Sequence, residues 1–342
     1  MKVGRCILAG PVALGLVGLF SAPAVAVDFY AGKTITMIVG NDVGGGFDAY
    51  ARLFARHLPR VIPGQPTIVV QNMPGAGSST ATAYVNRVAA KDGTVIGVVT
   101  PGAIAAPLFD EQTRRNYDPA KLIYLTSADS GSRVCAIYHA ADVKTGDDAR
   151  QKKVIIGAAG AGSSSSDYAK LHRTTSGLKF EIVSGYKGTG DLLLAMERRE
   201  IDGLCGVDWA SLTSQRPDWI RDKKLNFLFQ VGVKPHDVLT RMGVPDVSTS
   251  TLSPDDLAVV ELVTSQQVFA RPFIAAPEVP GEQIATLRAA FESLYKDPGF
   301  IADAEKSQLI LAPTSGAEVQ RSVEKMYKAA PNIVEKARAV LK

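Results

Sequence analysis

The sequence predicts an α/β protein built on open, largely parallel sheets, and three observations support this class. Short β-branched apolar runs alternate with amphipathic segments of helical length along much of the chain. Polar, glycine-rich loops follow several of the apolar runs. The length of 342 residues exceeds that of an ordinary single domain, which favours two lobes. Because ligands of open α/β sheets bind at the carboxyl ends of the strands, these loops are the candidate binding elements.

The first strand, loop and helix form the most informative unit. The apolar run from Ile35 to Val39 predicts a strand, a triple glycine follows it, and an amphipathic helix comes next. The first amides of a helix lack internal partners and the helix dipole adds positive charge, so this loop favours an anion. Glycine also lets a ligand approach the backbone closely. The residues expected to face a ligand here are Gly44, Gly45, Gly46, Phe47 and Asp48, although Asp48 could instead cap the helix.

The same pattern recurs twice in the first third of the chain. Residues 67–72 predict a strand, 73–77 a loop, and a helix runs from Ser78 or Ser79 towards Val88. Residues 95–100 predict a further strand that ends before a Pro-Gly pair. The residues expected to face the ligand from these two loops are Ala76, Gly77, Ser78 and Thr100.

Two further units lie in the middle of the chain. Residues 154–157 predict a strand that leads into a glycine- and serine-rich loop and a helix over 167–174. Residues 181–183 predict the next strand, before a Gly-Tyr-Lys-Gly-Thr-Gly loop and a helix over 191–199. The ligand-facing residues expected from this half are Ser163, Ser164, Ser165, Gly188, Thr189 and, after a later strand, Asp208. Any one of these loops could be a structural connection, so the argument rests on their number.

Enzyme and metal signatures are weak. The four histidines are dispersed without the spacing of a metal site, and no Gly-x-Ser-x-Gly motif accompanies the serine run. We therefore predict no catalytic residues, no metal and no cofactor. The formal net charge of +4 falls to +2 without Lys2 and Arg5 of the predicted signal peptide. This small charge argues against nucleic acid as a partner, which usually demands a clustered basic face.

The first residues have the layout of a secretory signal. Lys2 and Arg5 precede an apolar stretch from Ile7 to Phe20, and Ala24-Val25-Ala26 offers a small-x-small cleavage site. The apolar stretch is short for a membrane span, which needs about 20 residues. We predict a signal peptide over 1–26, cleavage after Ala26, and export to a bacterial periplasm.

Two cysteines remain after that cleavage, Cys135 and Cys205, and both lie in predicted strands. An oxidising compartment favours a disulfide between such a pair. Two buried thiols in neighbouring strands are the alternative, and the sequence leaves both open.

Five motifs in order resemble the Bug or TctC family, the periplasmic solute receptors of tripartite tricarboxylate transporters. The motifs are Gly44–Asp48, Asn72–Gly77, Lys91–Thr94, Gly160–Ser163 and Tyr186–Gly188. The resemblance implies a type II periplasmic binding fold with two α/β lobes joined by two crossing strands. It places lobe 1 at 27–129 and 269–342 and lobe 2 at 130–268, with crossings near Ser130 and Val268.

The resemblance also implies the function. A monomeric receptor would capture a small organic anion, a carboxylate, between its lobes through backbone amides and hydroxyls. It would then deliver this ligand to the membrane permease subunits of the transporter. The chain departs from the family pattern at Asn41-Asp42-Val43, where Pro-Pro is usual, and at Phe47, where a small or hydroxylated residue is frequent. These departures leave the choice of carboxylate open.

Two other functions compete with transport. The same pocket could belong to a ligand-dependent sensor subunit that feeds a signalling kinase. A secreted carboxylate-processing enzyme could use Asp48 or Asp208 as its base, and turnover of a bound carboxylate would favour that interpretation.

Overall fold

The computed structural model describes Met1 and residues 28–160, 163–232, 235–247 and 252–342. Apart from Met1, the predicted signal peptide and its cleavage site therefore lie outside the described residues. Within the described ranges, no helix combines the length and apolar character that a membrane span requires.

The strands form two separate sheets. The first sheet has the order β11-β4-β10-β3-β1-β2 and the second the order β7-β6-β8-β5-β9. The strands are β1 (Thr34–Val39), β2 (Thr67–Asn72), β3 (Val95–Val98), β4 (Ile123–Ser127), β5 (Arg133–Tyr138), β6 (Val154–Ala158), β7 (Phe180–Ser184), β8 (Gly203–Asp208), β9 (Leu225–Val231), β10 (Pro272–Ala275) and β11 (Thr314–Ser315).

Helices surround both sheets, so each lobe is an α/β unit as predicted. They are α1 (Gly46–His57), α2 (Ser79–Arg87), α3 (Pro101–Phe109), α4 (Glu111–Asn116), α5 (Gly146–Gln151), α6 (Ser164–Thr175), α7 (Thr189–Glu197), α8 (Trp209–Gln215), α9 (Pro217–Arg221), α10 (Asp237–Arg241), α11 (Pro254–Thr264), α12 (Gly281–Leu294), α13 (Pro298–Lys306), α14 (Gly316–Tyr327) and α15 (Pro331–Leu341).

The α/β class is confirmed, but the sheets are mixed rather than largely parallel. Strand β1 pairs in parallel with β2 and β3, and β6 pairs in parallel with β7 and β8. Strand β10 runs antiparallel to β3 and β4, and β5 runs antiparallel to β8 and β9. Both β5 and β10 follow a passage from the other sheet. They enter at the carboxyl ends of the parallel strands, where Arg133 pairs with Asp208 and Phe273 with Val98, and so run the opposite way.

The two passages between the sheets lie side by side. The Ala128 amide donates to the Arg271 carbonyl at 3.0 Å, and the Ala270 amide donates to the Asp129 carbonyl at 3.0 Å. The Arg271 amide also donates to the Ser127 hydroxyl at 3.1 Å. These bonds tie the two connections into one narrow hinge, and the lobe limits given above remain a prediction around it.

An aromatic cluster fixes helix α1 against the first sheet. The ring of Phe54 lies 4.7 Å from that of Phe273 and 5.2 Å from that of Phe291, measured between centroids. Phe300 lies 4.8 Å from Phe54 on another side. Because these rings are fully buried, the amino terminus of α1 is held at the carboxyl end of β1.

The carboxyl-terminal helix contacts both halves of the molecule. Helix α15 packs against α3, α6 and α11. On one side the Arg338 Nε donates to the Phe109 carbonyl at 2.9 Å, and on the other the Lys170 Nζ donates to the Leu341 carbonyl at 2.8 Å. A single helix thus links an element beside the first sheet with one beside the second.

Cys135 on β5 and Cys205 on β8 form a disulfide in the structure. The two strands are neighbours, both side chains are buried, and the cysteines are 70 residues apart in sequence. The bridge therefore closes a long loop inside the second lobe.

Candidate functional site

The glycine loop before α1 presents uncapped helix amides. No side chain caps this helix at Gly45, and Gly44, Gly45 and Gly46 are all exposed. Gly44 has a φ of +80°, which glycine adopts without strain. No side chain caps the first amides of α1, and the helix dipole favours an anion in front of them.

Asp48 holds this loop in shape. Its carboxylate accepts from the Gly44 amide at 2.8 Å, from Arg52 Nε at 2.8 Å and from the Asn72 side-chain amide at 3.0 Å. Burial would raise the pKa of Asp48, but these hydrogen bonds outweigh burial and hold the pKa below its ordinary value. The described contacts of Asp48 are thus those of a carboxylate that fixes the loop, and α1 has no side-chain cap.

The loops after β2 and β3 lie beside the first loop. The Ser78 hydroxyl donates to the Gly40 carbonyl at 3.0 Å, and the Thr100 hydroxyl donates to the Gly77 carbonyl at 2.6 Å. Three of the predicted loops therefore meet at one edge of the first sheet. The two hydroxyls already have partners, whereas Ala76 and Gly77 are exposed, and a Cβ built on Gly77 has no atom within 4 Å.

The predicted loops of the second sheet also gather at one edge. The Ser163 hydroxyl caps α6 by accepting from the Ser166 amide at 3.3 Å, and the Ser165 hydroxyl accepts from the Ala159 amide at 2.9 Å. The cap explains why α6 begins at Ser164, three residues earlier than the sequence predicted. The backbone of Ser164 packs against Gly206 on β8, so this loop lies beside the end of that strand.

Helix α7 offers a second uncapped amino terminus. Its N-cap is Gly188, with no side-chain cap, and Thr189 is its first residue. A Cβ built on Gly188 has no atom within 4 Å, so open space lies in front of these amides. The second lobe thus supplies the same type of donor as the first.

Asp208 ends β8 and caps α8. Its Oδ1 accepts from the Ser211 amide at 3.0 Å. Its Oδ2 is buried and has no hydrogen-bond partner among the described residues. This orphaned oxygen lies against the Cα of Gly131, on the passage between the sheets.

The sequence interpretation did not identify a group of four charged residues and one tyrosine that lies at the hinge, apart from its member Asp208. We call Tyr50, Asp129, Arg133, Asp208 and Arg271 the hinge cluster. Arg133 donates to the Gly206 carbonyl at 3.1 Å, and Arg271 donates through Nη1 to the Ala270 carbonyl at 2.9 Å. The available signal was a charged residue near each predicted crossing, Asp129 directly before Ser130 and Arg271 three residues after Val268.

The guanidinium of Arg271 lies at the amino terminus of α1. Its central carbon is 4.6 Å from the ring centroid of Phe47 and 5.5 Å from that of Tyr50. A Cβ built on Gly46 would have Arg271 Nη2 as its nearest atom, at 3.9 Å. A full positive charge therefore stands next to the glycine loop.

Charged residues of the hinge cluster shift the pKa values of their neighbours in the other lobe. Burial raises the pKa of the Tyr50 hydroxyl, and Asp129 and Asp208 raise it further while Arg271 opposes them. Burial, and secondly the charge of Asp208, raises the pKa of Asp129 to about 7, although Arg271 and Arg133 oppose the shift. Asp208, at the end of β8, is thus close to Tyr50 on α1 and to Asp129 on the passage between the sheets.

This raised pKa predicts a pH dependence of stability. An unfolded aspartate titrates near about 4, so between about 4 and about 7 the unfolded chain loses a proton that native Asp129 keeps. Asp129 therefore contributes a fall in the free energy of unfolding as the pH rises through this window. Buried His172, whose pKa is lowered by burial to about 4, contributes a rise between about 4 and about 6.5. Urea unfolding at several pH values should show that stability rises more steeply with pH in Asp129→Asn than in the wild type, because only the Asp129 contribution is lost.

Asp237→Asn, the same charge change at an exposed site, is the control and should leave the slope in place. An unchanged slope in Asp129→Asn would contradict the assignment.

Among the described residues, no group of His, Cys, Asp and Glu could hold a metal ion. The predicted ligand-binding residues collect in two sets, one at the carboxyl edge of each sheet, and the hinge cluster lies between them.

No protein-family model matches the sequence, and no curated protein matches it significantly. Solved structures resemble it over nearly its whole length. A TctC solute-binding protein from Polaromonas has a TM-score of 0.66 at 17% identity, covering 90% of this chain and 99% of its own. The periplasmic binding protein BugD has a TM-score of 0.62 at 19% identity, covering 91% and 98%.

MatC from Rhodopseudomonas palustris, with bound malate, has a TM-score of 0.62 at 18% identity, covering 91% of this chain and 99% of its own. At these identities the likeness concerns the fold. The resemblance seen in the sequence motifs is thus confirmed at that level: this chain has the fold of the TctC and Bug solute-binding proteins.

Proposed function

We propose that this protein is a periplasmic receptor that binds a small carboxylate between its two lobes and delivers it to the membrane subunits of a tripartite tricarboxylate-type transporter. The observation that carries the proposal is the pair of uncapped helix amino termini, α1 and α7, each at the carboxyl edge of its sheet. Each is preceded by glycine: a Cβ built on Gly188 has no atom within 4 Å, and one built on Gly45 meets only the Asp42 carbonyl oxygen, at 3.4 Å. Such amides favour anions.

The ligand-facing groups are the exposed main-chain amides rather than most of the predicted hydroxyls. In the first lobe these are the amides of Gly46, Phe47, Ala76 and Gly77, because the predicted Gly45 amide donates to the Asp42 carbonyl at 3.3 Å. In the second lobe they are those at Gly188 and Thr189. Charge-assisted hydrogen bonds contribute about 1.5–3 kcal/mol each, so a few of them reach the roughly 8 kcal/mol of micromolar binding.

The fold neighbours are solute-binding proteins, and MatC was solved with malate. They support a binding role over catalysis for this chain. Export through the predicted signal peptide, with cleavage after Ala26, belongs to the same proposal, as do the monomeric state and the absence of a cofactor.

A thermal-shift screen tests the proposal. We expect at least one of succinate, adipate, malate, benzoate and nicotinate to raise the Tm of the chain lacking residues 1–26. A ligand at 100 times its Kd adds about 2.7 kcal/mol of stability, because it binds only the native state. The corresponding neutral amides are the control and should leave the Tm unchanged. Failure of every carboxylate to raise the Tm would count against the receptor function.

A further inference from the structure

The hinge cluster contains charges that main-chain capture of an anion does not require. Asp129, Arg133, Asp208 and Arg271 lie together, and among the described residues no ion pair within 4.0 Å joins them. Arg133 and Arg271 donate to main-chain carbonyls instead. Buried charges in proteins are normally paired or hydrogen-bonded. Asp208 Oδ2 and Arg271 Nε are the two atoms of the cluster left buried without a hydrogen-bond partner among the described residues, and a third, charged group would satisfy them.

Arg271 forms the cationic end of this arrangement. Its ring contacts with Phe47 and Tyr50 and its bond to the Ala270 carbonyl fix the guanidinium in place, while its Nε is buried without a partner. A guanidinium beside a helix amino terminus is electrostatically unfavourable, since both are positive. An anion lying between them removes the repulsion, and guanidinium geometry matches a carboxylate.

Asp208 and Asp129 form the acidic end. Asp208 is 4% exposed, and its Oδ2 accepts no hydrogen bond from the described residues. A Cβ on Gly131 would overlap this oxygen and come within 3.2 Å of Asp129 Oδ2, so both carboxylates approach the same glycine. Carboxylate oxygens accept hydrogen bonds, and a buried acceptor without a donor costs free energy. A donor on the ligand would satisfy Asp208.

We propose that the ligand is a small carboxylate that also carries an amino or hydroxyl group, with its carboxylate on Arg271 and α1 and its donor on Asp208. The inference rests on the proposed receptor function and narrows it. An unsubstituted carboxylate leaves the Asp208 oxygen unsatisfied, and a second carboxylate placed there meets two acids. The acidic end therefore determines which carboxylates bind best, while Arg271 contributes affinity for the carboxylate group that they share.

The test compares ligands that share a carbon skeleton. Isothermal titration of the wild-type chain would use propionate, lactate and alanine, and then succinate, malate and aspartate. In at least one set we expect the hydroxy or amino acid to bind about 10- to 100-fold tighter than the unsubstituted acid, the range of one hydrogen bond to a charged group. The tighter member of each set identifies the donor as hydroxyl or ammonium.

Two variants test which residue causes the preference for the substituted acid and which supports carboxylate binding in general. Asp208→Asn retains an oxygen that can cap α8 but removes the charge, so it should abolish most of the preference for the substituted acid. Its control is Asp110→Asn, which alters another helix-capping aspartate. Arg271→Gln should weaken all bound members by a similar factor. Its control is Arg288→Gln, a partly buried arginine that donates to the Tyr124 carbonyl elsewhere.

Equal affinities within both sets, or a preference that survives in Asp208→Asn, would overturn the inference and leave the receptor function intact. Failure of all six compounds to bind would also overturn it. The receptor function itself would fall only if the wider thermal-shift screen were also negative.

Discussion

Gly46→Leu is expected to reduce carboxylate binding by at least about 100-fold, because it places a side chain in front of the free amides of α1. The backbone tolerates the change, since Gly46 is the first residue of α1 and does not have a positive φ. A Cβ there meets only Arg271 Nη2, at an ordinary 3.9 Å. Titration calorimetry measures the affinity, and urea unfolding should show a stability close to that of the wild type.

Gly281→Leu is the matched control. Gly281 is also an exposed first residue of a helix, α12, and a Cβ there has no atom within 4 Å. It should bind carboxylates as the wild type does. Unchanged affinity in Gly46→Leu would show that the ligand does not approach α1, and main-chain capture at this loop would have to be abandoned.

The second large effect concerns the disulfide. Replacing Cys135 and Cys205 together by alanine should lower the free energy of unfolding by about 4 kcal/mol, the chain-entropy value for a closed loop of this length. Reduction of the wild type with a thiol should produce a similar loss. Urea unfolding with and without reductant measures both.

The double variant is its own control, since reductant should not change its stability. Thiol titration of the unfolded wild type should find no free thiol at Cys135 or Cys205 before reduction. If reductant left the free energy of unfolding of the wild type unchanged, a stabilising disulfide between Cys135 and Cys205 would be contradicted.

Local features of the fold could be predicted from the sequence, whereas strand direction could not. The glycine loops and apolar runs gave the strands before Gly44, Met73 and Gly185 nearly to the residue, because each run is bounded by turn chemistry. Residues 133–138 and 272–275 are also apolar runs, but nothing local shows that they enter their sheets from the far side. Their direction depends on the hinge, which is a property of the whole chain.

The same reason explains the missed part of the site. Asp129 and Arg271 are far apart in sequence, and each looks like an isolated charge next to a strand. Only the paired crossings bring them together, through the bonds between Ala128 and Arg271 and between Ala270 and Asp129. Conversely, hydroxyls such as those of Ser78 and Thr100 looked free in the sequence but are satisfied by neighbouring loops.

The position of α15 has a practical consequence for any study of lobe opening. Because this helix contacts α3 on one side and α6 on the other, spreading the lobes has to stretch or detach it. The contacts of α15, together with the hinge, therefore contribute to the energy difference between open and closed forms. Variants that weaken the contacts of α15 with α3 or α6 would therefore shift the balance towards the open form.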